Sequence, residues 1–341
     1  MLIKVVCVRL KSDANACGHI QPVRLFFEER IHIERTSPVS YSIVDETQFV
    51  ILVGSVRQRK GAQLLIESIQ TFGGPLSRCQ ITVFEADAQN APCSDLEGPT
   101  VQVLPLTVPE NVRDYYFAAK VYACAQAEAL VAPSVQSLVW VASDCLVVKP
   151  PLLFDLVASF DAAVRPVHIT NVGLLDAAPL NDYWKRVFEV VGVQDVRSTV
   201  KTFVDEQRVR AYFNSHALAV NPSKGLFSRW FELFETLVCD REYQACSCQD
   251  GFRQVFLHQA LLSTLIVTEL EPQRIRLLPP EYNYPYNLHQ SIPVGKRAAA
   301  LNDLVCFVYE DLSLNPSVID DIEIHEPLRS WLAARTQNNA Y

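Results

Sequence analysis

The sequence predicts an α/β fold, with a mainly parallel mixed sheet flanked by helices in one domain and a β appendage ahead of it. Two observations carry this expectation. Continuous apolar runs such as Phe49-Val-Ile-Leu-Val-Gly54 match central strands covered on both faces, which is what parallel sheets require. Between those runs lie amphipathic stretches of helical spacing, and a strand–helix–strand alternation favours parallel pairing through right-handed crossovers.

The elements follow in order. Residues 2–10 and 23–33 read as strands, the stretch Arg30 to Glu34 alternating polar and apolar as a half-buried strand does. Residues 1–45 are therefore expected to form the N-terminal appendage, residues 46–290 the main domain and residues 291–341 a C-terminal extension packed on it. After the strand ending at Gly54 come Arg57, Arg59 and Lys60, then a helix with Leu64, Leu65, Ile69 and Phe72 on one face, stopped by Gly73-Gly74-Pro75. Gln80–Phe84 and Val101–Leu106 are further strands, and 114–130 is an Ala-rich helix carrying Lys120 and Glu128. A short helix (152–159) and a strand (161–165) precede a less regular region reaching Gln207. Ala217–Val220 is a strand with Asn214, Ser215 and His216 at its entrance. Helices follow at 227–237, where the aromatic stripe is core packing, and at 252–266, and then strands beginning at Ile275 and spanning 304–309. The tail after Pro327 is partly helical.

Composition narrows the function classes. The 341 residues are 49% apolar, enough for a sizeable core. A formal net charge of -8 argues against nucleic acid as the partner, because phosphate-backbone binding needs a basic face. The ten cysteines are scattered and several lie in apolar runs, as free thiols of a reducing cytoplasm do. The opening ten residues do not read as a signal peptide, and no apolar run is long enough to cross a bilayer. Cys239, Cys246, Cys248 and His258 have zinc-ligand chemistry but not zinc-site spacing, so incidental thiols are the favoured reading.

The chemistry centres on Leu138–Pro151, a buried strand, a break and a second apolar strand closed by two prolines. Ala142 and Ser143 are small enough for a ligand to approach the backbone. Asp144 stands alone among apolar neighbours, and a carboxylate there is costly unless it meets a cation or a donor cluster. The ends of parallel strands are where α/β proteins bind ligands. Basic residues in the first turn of a helix oppose its dipole, so Arg57, Arg59 and Lys60 point to a nearby anion.

Several separated blocks resemble nucleotide-sugar glycosyltransferases of the GT-A fold, in particular the glycogenin-like and lipopolysaccharide-galactosyltransferase-like group. The blocks are Trp140-Val-Ala-Ser-Asp144 in the place of W-L-D-x-D, Tyr212-Phe-Asn-Ser-His216 for Y-F-N-S-G, and His258-Gln259 for Asp-Gln. Leu278-Pro-Pro-Glu-Tyr-Asn283 stands for L-P-x-x-Y-N. The likeness spans residues 46–290 and implies transfer of a sugar from a nucleoside diphosphate sugar to an acceptor. It implies that Gly54, Arg57, Lys120, Ser143 and Asp144 bind the donor, and that Asn214, Ser215 and Gln259 serve the transfer. It further implies Mn²⁺ or Mg²⁺ neutralising the diphosphate, held by Asp144 and completed by His289. Three positions depart from the pattern: Ala142 for the first acid of D-x-D, His216 for glycine and His258 for aspartate. These departures keep two alternatives open, a degenerate domain that binds nucleotide sugars or acts as a scaffold, and a nucleotidyltransferase. The latter wants a glycine-rich loop that Val53–Gly61 meets poorly.

Overall fold

The computed structural model describes residues 46–336. The expected β appendage and the last five residues lie outside that range. Strands β1 (Thr47–Val53), β2 (Gln80–Glu85) and β3 (Val101–Pro105) pair in parallel, β1 also pairs in parallel with β4 (Ser137–Val141), and β5 (Cys145–Val147) follows one turn later. Strand β6 (Ala162–Pro166) precedes a small hairpin of β7 (Thr199–Lys201) and β8 (Arg208–Arg210). Strand β9 (Phe213–Val220) runs antiparallel between β4 and β6, and β10 (Ile275–Leu277) closes the edge parallel to β6. The main sheet thus has seven strands in the order β10-β6-β9-β4-β1-β2-β3. A second, three-stranded sheet joins β5 to β12 (Cys306–Val308) and β11 (Tyr284–Pro285).

The helices cover both faces. Helix α1 (Val56–Phe72) starts two residues after β1, where the Ser55 hydroxyl accepts from the Gln58 amide at 3.2 Å. Its buried face, including Leu65 and Ile69, packs with Phe49, Ile51, Val139 and Val141 in one core cluster. The opposite face of the sheet packs α2 (Ala118–Leu130), α3 (Asp182–Val191), α4 (Leu226–Cys239), α5 (Arg241–Ser247) and α6 (Gly251–Glu269) around Trp184, Trp230 and Phe234. The aromatic stripe of α4 is core. Residues after 290 form a third cluster, where Leu301, Leu304, Leu328 and Leu332 of the tail and of α7 (Leu328–Thr336) meet Leu146 and Phe307.

Four expectations shift locally. The region to Gln207 contains α3, begun by the Asn181 side chain accepting from the Trp184 amide and stopped by Gly192 at φ +91°. Helix α2 begins at Ala118 and not at Asp114, because Phe117 sits in the left-handed region at φ +61°. The short helix at 152–159 is two separate 3₁₀ turns. Strand β9 starts at Phe213, so Asn214, Ser215 and His216 lie within it.

Candidate active site

The parallel strands β1 and β4 end side by side, and a cleft of about 490 Å³ opens beyond their carboxyl ends. Ser55, Arg57, Gln58 and Gly61 of α1 form one wall, and Phe117 and Lys120 of α2 another. Ala142, Ser143 and Asp144 come from the β4–β5 turn, Ser215 and His216 from β9, and Phe256, His258 and Gln259 from α6. Tyr309, Glu310 and Asp311, directly after β12, complete the rim.

The turn bearing Asp144 is pinned on three sides. The Ala142 amide donates to the His216 carbonyl at 2.7 Å, the Cys145 amide to the Ala142 carbonyl at 3.0 Å, and the Tyr309 amide to the Asp144 carbonyl at 3.0 Å. Helix α1 crosses close above it. A Cβ built on Gly61 would collide with the Ser143 carbonyl oxygen and approach the Tyr309 hydroxyl, so glycine is needed for this crossing.

Lys120 is the cation at the floor. Its ammonium donates to the carbonyl and, at 2.8 Å, to the hydroxyl of Ser215, which leaves one N–H without a protein partner among the described residues. It lies 5.3 Å from the Trp140 ring centroid and 5.7 Å from that of Phe117. Desolvation brings its pKa down to about 8, opposed by Cys124, Asp144 and Cys145. Ser215 is further tied to α6, where Gln259 Oε1 accepts from its amide at 3.2 Å and lies 3.1 Å from its hydroxyl. His258 Nδ1 faces the Val255 carbonyl at 2.8 Å, so that nitrogen carries the hydrogen and Nε2 accepts from Ser215 Oγ at 3.1 Å. Burial holds the His258 pKa well below its ordinary value, and its ring stacks on Phe117 with centroids 4.3 Å apart.

Of the expected site residues, the fold brings Arg57, Lys120, Ser143, Asp144, Ser215 and Gln259 to this one cleft. Gly54 stands just outside it, its amide donating to the Gln58 side chain at 2.7 Å. Asn214 is buried behind the wall, beneath His216. His289 does not line the cleft; it is buried against the C-terminal segment with Nδ1 2.8 Å from the Tyr284 hydroxyl. His258 belongs to the cleft and not with the cysteines of α4 and α5. Among the described residues no group of three or more His, Cys, Asp or Glu side chains is placed to hold a metal ion.

Sequence reasoning passed over Glu310, Asp311, Phe117 and Phe256. The signal for the first two was present, since Tyr309-Glu-Asp311 ends an apolar strand just as Asp144 does. Arg57 pairs with Asp311, so the basic first turn of α1 meets an acid from a chain segment 254 residues later (311 − 57).

No curated protein matches the chain. Among solved structures, the apo bifunctional glycosyltransferase WbbM is similar over 89% of this chain at 14% identity and a TM-score of 0.47, this chain spanning 53% of that one. An active-site mutant of LgtC is similar over 85% of this chain and 94% of its own, at 13% identity and a TM-score of 0.46. Mouse xyloside xylosyltransferase 1 covers 77% of this chain and 97% of its own, at 8% identity and a TM-score of 0.44. A model of the Rhodobacterales glycosyltransferase domain matches residues 49–269, which hold most of β1, all of β4, β9 and α6, and most of the cleft. The chain belongs to the Rhodobacterales glycosyltransferase domain family.

Proposed function

We propose that this chain is an enzyme of GT-A type that moves a sugar from a nucleoside diphosphate sugar to an acceptor hydroxyl, with the donor diphosphate against Lys120. The observation that carries this reading is the Lys120 ammonium, buried in the lining of the cleft at the ends of parallel strands, with two of its three N–H groups on Ser215. In glycosyl transfer, negative charge builds on the leaving diphosphate, and a fixed cation away from bulk water stabilises it more strongly than one in solvent. Ser215 holds that cation in place, and Gln259 holds Ser215. The cleft is where the sugar must lie, so Ser143 and the side chains of Asp144 and Gln259 are its hydrogen-bonding partners in this reading.

Among the described residues the side chains do not make a divalent-ion site of their own. Ala142 offers a methyl group where the resemblance expects a carboxylate, His289 is engaged with Tyr284, and Asp144 is left as the strand-end acid. Residues 54 and 55 alone separate β1 from α1, which leaves no room for the glycine-rich loop of a nucleotidyltransferase. A nucleotide-sugar-binding module without turnover is the second reading, favoured by Ala142. Cys93, Cys124, Cys145, Cys239, Cys246, Cys248 and Cys306 are free thiols, which suits the reducing cytoplasm expected from the sequence, and among the described residues no helix is long and apolar enough to cross a membrane.

The test is a panel of UDP-, GDP-, ADP- and CDP-sugars, with and without Mn²⁺, read by thermal shift and by release of nucleoside diphosphate. Stabilisation by one donor with release of its nucleotide is expected, and Lys120→Met is expected to lose the release. Stabilisation with no release under any condition leaves the binding module. No stabilisation by any member ends the nucleotide-sugar reading.

A further inference from the structure

We propose that the side of the cleft formed by Phe117 and Phe256 selects a donor sugar that turns a methyl group towards it, as a 6-deoxy sugar or an N-acetylated sugar can. This rests on the glycosyl-transfer reading above and names the class of sugar that the site takes.

The two sides of the cleft differ in chemistry. Ser55, Arg57 and Gln58 of α1 line one side, where Arg57 pairs with Asp311 and the turn bearing Asp144 lies under Gly61. Helices α2 and α6 pack on the opposite face of the sheet from α1, and from that side Phe117, Phe256 and His258 line the cleft. Phe117 is 46% exposed and is held directly before α2 by a left-handed backbone, φ +61°, that a bulky residue rarely adopts. One face of its ring stacks on His258, with centroids 4.3 Å apart and 28° between the planes, which leaves the other face for a ligand. Phe256 is steadied by Phe252, one turn earlier on α6, whose ring lies 6.1 Å away at 25°.

The hydrogen-bonding groups of these rings are already used. His258 Nδ1 faces the Val255 carbonyl at 2.8 Å and its Nε2 faces the Ser215 hydroxyl at 3.1 Å. Burial holds the His258 pKa well below its ordinary value, so the ring carries no charge. The Trp140 indole N–H donates to the Ser215 carbonyl at 3.1 Å. Phe117, Phe256, His258 and Trp140 therefore offer a ligand no free donor or acceptor. A sugar hydroxyl turned to them would leave water and gain no partner, whereas a methyl group would exchange water for carbon contacts.

The place of the sugar follows from Lys120. Its ammonium lies 5.7 Å from the Phe117 centroid, so a diphosphate against it ends beside that ring. Nucleoside and sugar leave the diphosphate at opposite ends. The polar α1 side suits the nucleoside, which leaves the aromatic side to the sugar.

Donors that share a nucleotide and differ by the methyl group test this with the whole chain. The pairs are UDP-glucose against UDP-N-acetylglucosamine, UDP-galactose against UDP-N-acetylgalactosamine, and GDP-mannose against GDP-6-deoxymannose. Release of nucleoside diphosphate is read as kcat/KM, or a calorimetric Kd is taken where a donor binds without turnover. The methyl-bearing member of one pair is expected to be preferred by about 10–100-fold, the span that a hydrophobic contact of this size gives. The pair that shows it tells a deoxy sugar from an acylamino sugar. Phe256→Gln and Phe117→Asn supply hydrogen-bonding groups, asparagine also tolerating the left-handed backbone, and should bring the ratio to within about threefold. UDP or GDP without a sugar should bind Phe117→Asn as it binds the wild type. A wild-type preference within about threefold in every pair, or for the hydroxyl-bearing member, overturns the assignment while leaving glycosyl transfer intact. A preference that both variants keep does the same. Loss of UDP or GDP affinity in Phe117→Asn means that the nucleoside lies on that ring, and also overturns it. If no donor binds the wild type, the nucleotide-sugar reading itself falls, and this assignment with it.

Discussion

Replacing Lys120 by Met should reveal what the buried cation costs the fold. Desolvation, partly opposed by Cys124, Asp144 and Cys145, brings the ammonium from 10.5 to about 8. At 1.36 kcal/mol per unit, that shift corresponds to about 3 kcal/mol of destabilisation by the charged form. The sign follows from proton counting. Between about pH 8 and the ordinary lysine value, the unfolded chain binds a proton that the folded chain has lost, so stability rises with pH across that window. Below it the full cost is present. Met matches the length of the chain without the charge, so the variant should lack this rise, while it loses the hydrogen bonds to Ser215. Denaturant unfolding of both proteins at about pH 7 and about pH 10 should show their stability difference changing by about 2–3 kcal/mol. The variant should fold, gain relative stability at the lower pH, and lose release of nucleotide from the donor. Parallel pH dependences of the two proteins would refute the argument, because the fold would then not be straining against that charge.

Two further substitutions test the scaffold. Gly61→Ala gains about 1 kcal/mol of helix propensity but forces α1 away from the Ser143 carbonyl, at an overpacking cost of about 1–3 kcal/mol. A lower melting temperature together with a large loss of turnover is expected, since the displaced turn carries Asp144. Glu128→Ala should destabilise more, by roughly 3 kcal/mol, because a hydrogen bond to a charged group contributes ~1.5–3 kcal/mol. The Glu128 carboxylate accepts from the Phe227 and Ser228 amides at 3.1 and 2.7 Å, and Gly225 provides no side-chain cap for α4. Thermal unfolding measures this, with Glu128→Gln expected between the two.

The central strands and the helices between them were legible because their signals are local. Phe49–Val53 is apolar on both faces, and Ser55 and Gly73 bracket α1. Asp144 was legible for the same reason, as a charge set in an apolar run at a strand end. What the sequence obscured depended on distance. His216 stands in the sequence only as a departure from glycine, and the contact of its ring nitrogen with Asn214, together with Glu310 from 94 residues on (310 − 216), gives it a direction and a field. His289 looked suitable for the cleft by residue type, yet Tyr284, five residues earlier, holds it elsewhere. Helix α3 was missed although Asn181 and Gly192 mark its ends, because Pro179 and the polar residues around it resemble a loop. Phe117 carried no signal at all, since its left-handed backbone is not a choice that a phenylalanine announces.

Asp144, Glu310 and Asp311 line the cleft against Lys120 and Arg57, and Arg57 is already paired with Asp311. A nucleoside diphosphate adds negative charge to a lining that is acidic before it arrives, so binding requires a source of positive charge. Lys120 can supply it by protonation: near pH 8 it is about half charged when free, and a diphosphate beside it favours the charged form. Donor binding at that pH should therefore take up about half a proton, seen as a binding enthalpy that varies with the ionisation heat of the buffer. Lys120→Met should abolish the uptake. If Mn²⁺ enters with the nucleotide and provides the charge instead, uptake should shrink when Mn²⁺ is present and return when it is removed. Uptake that is absent under both conditions would mean that the diphosphate does not lie against Lys120.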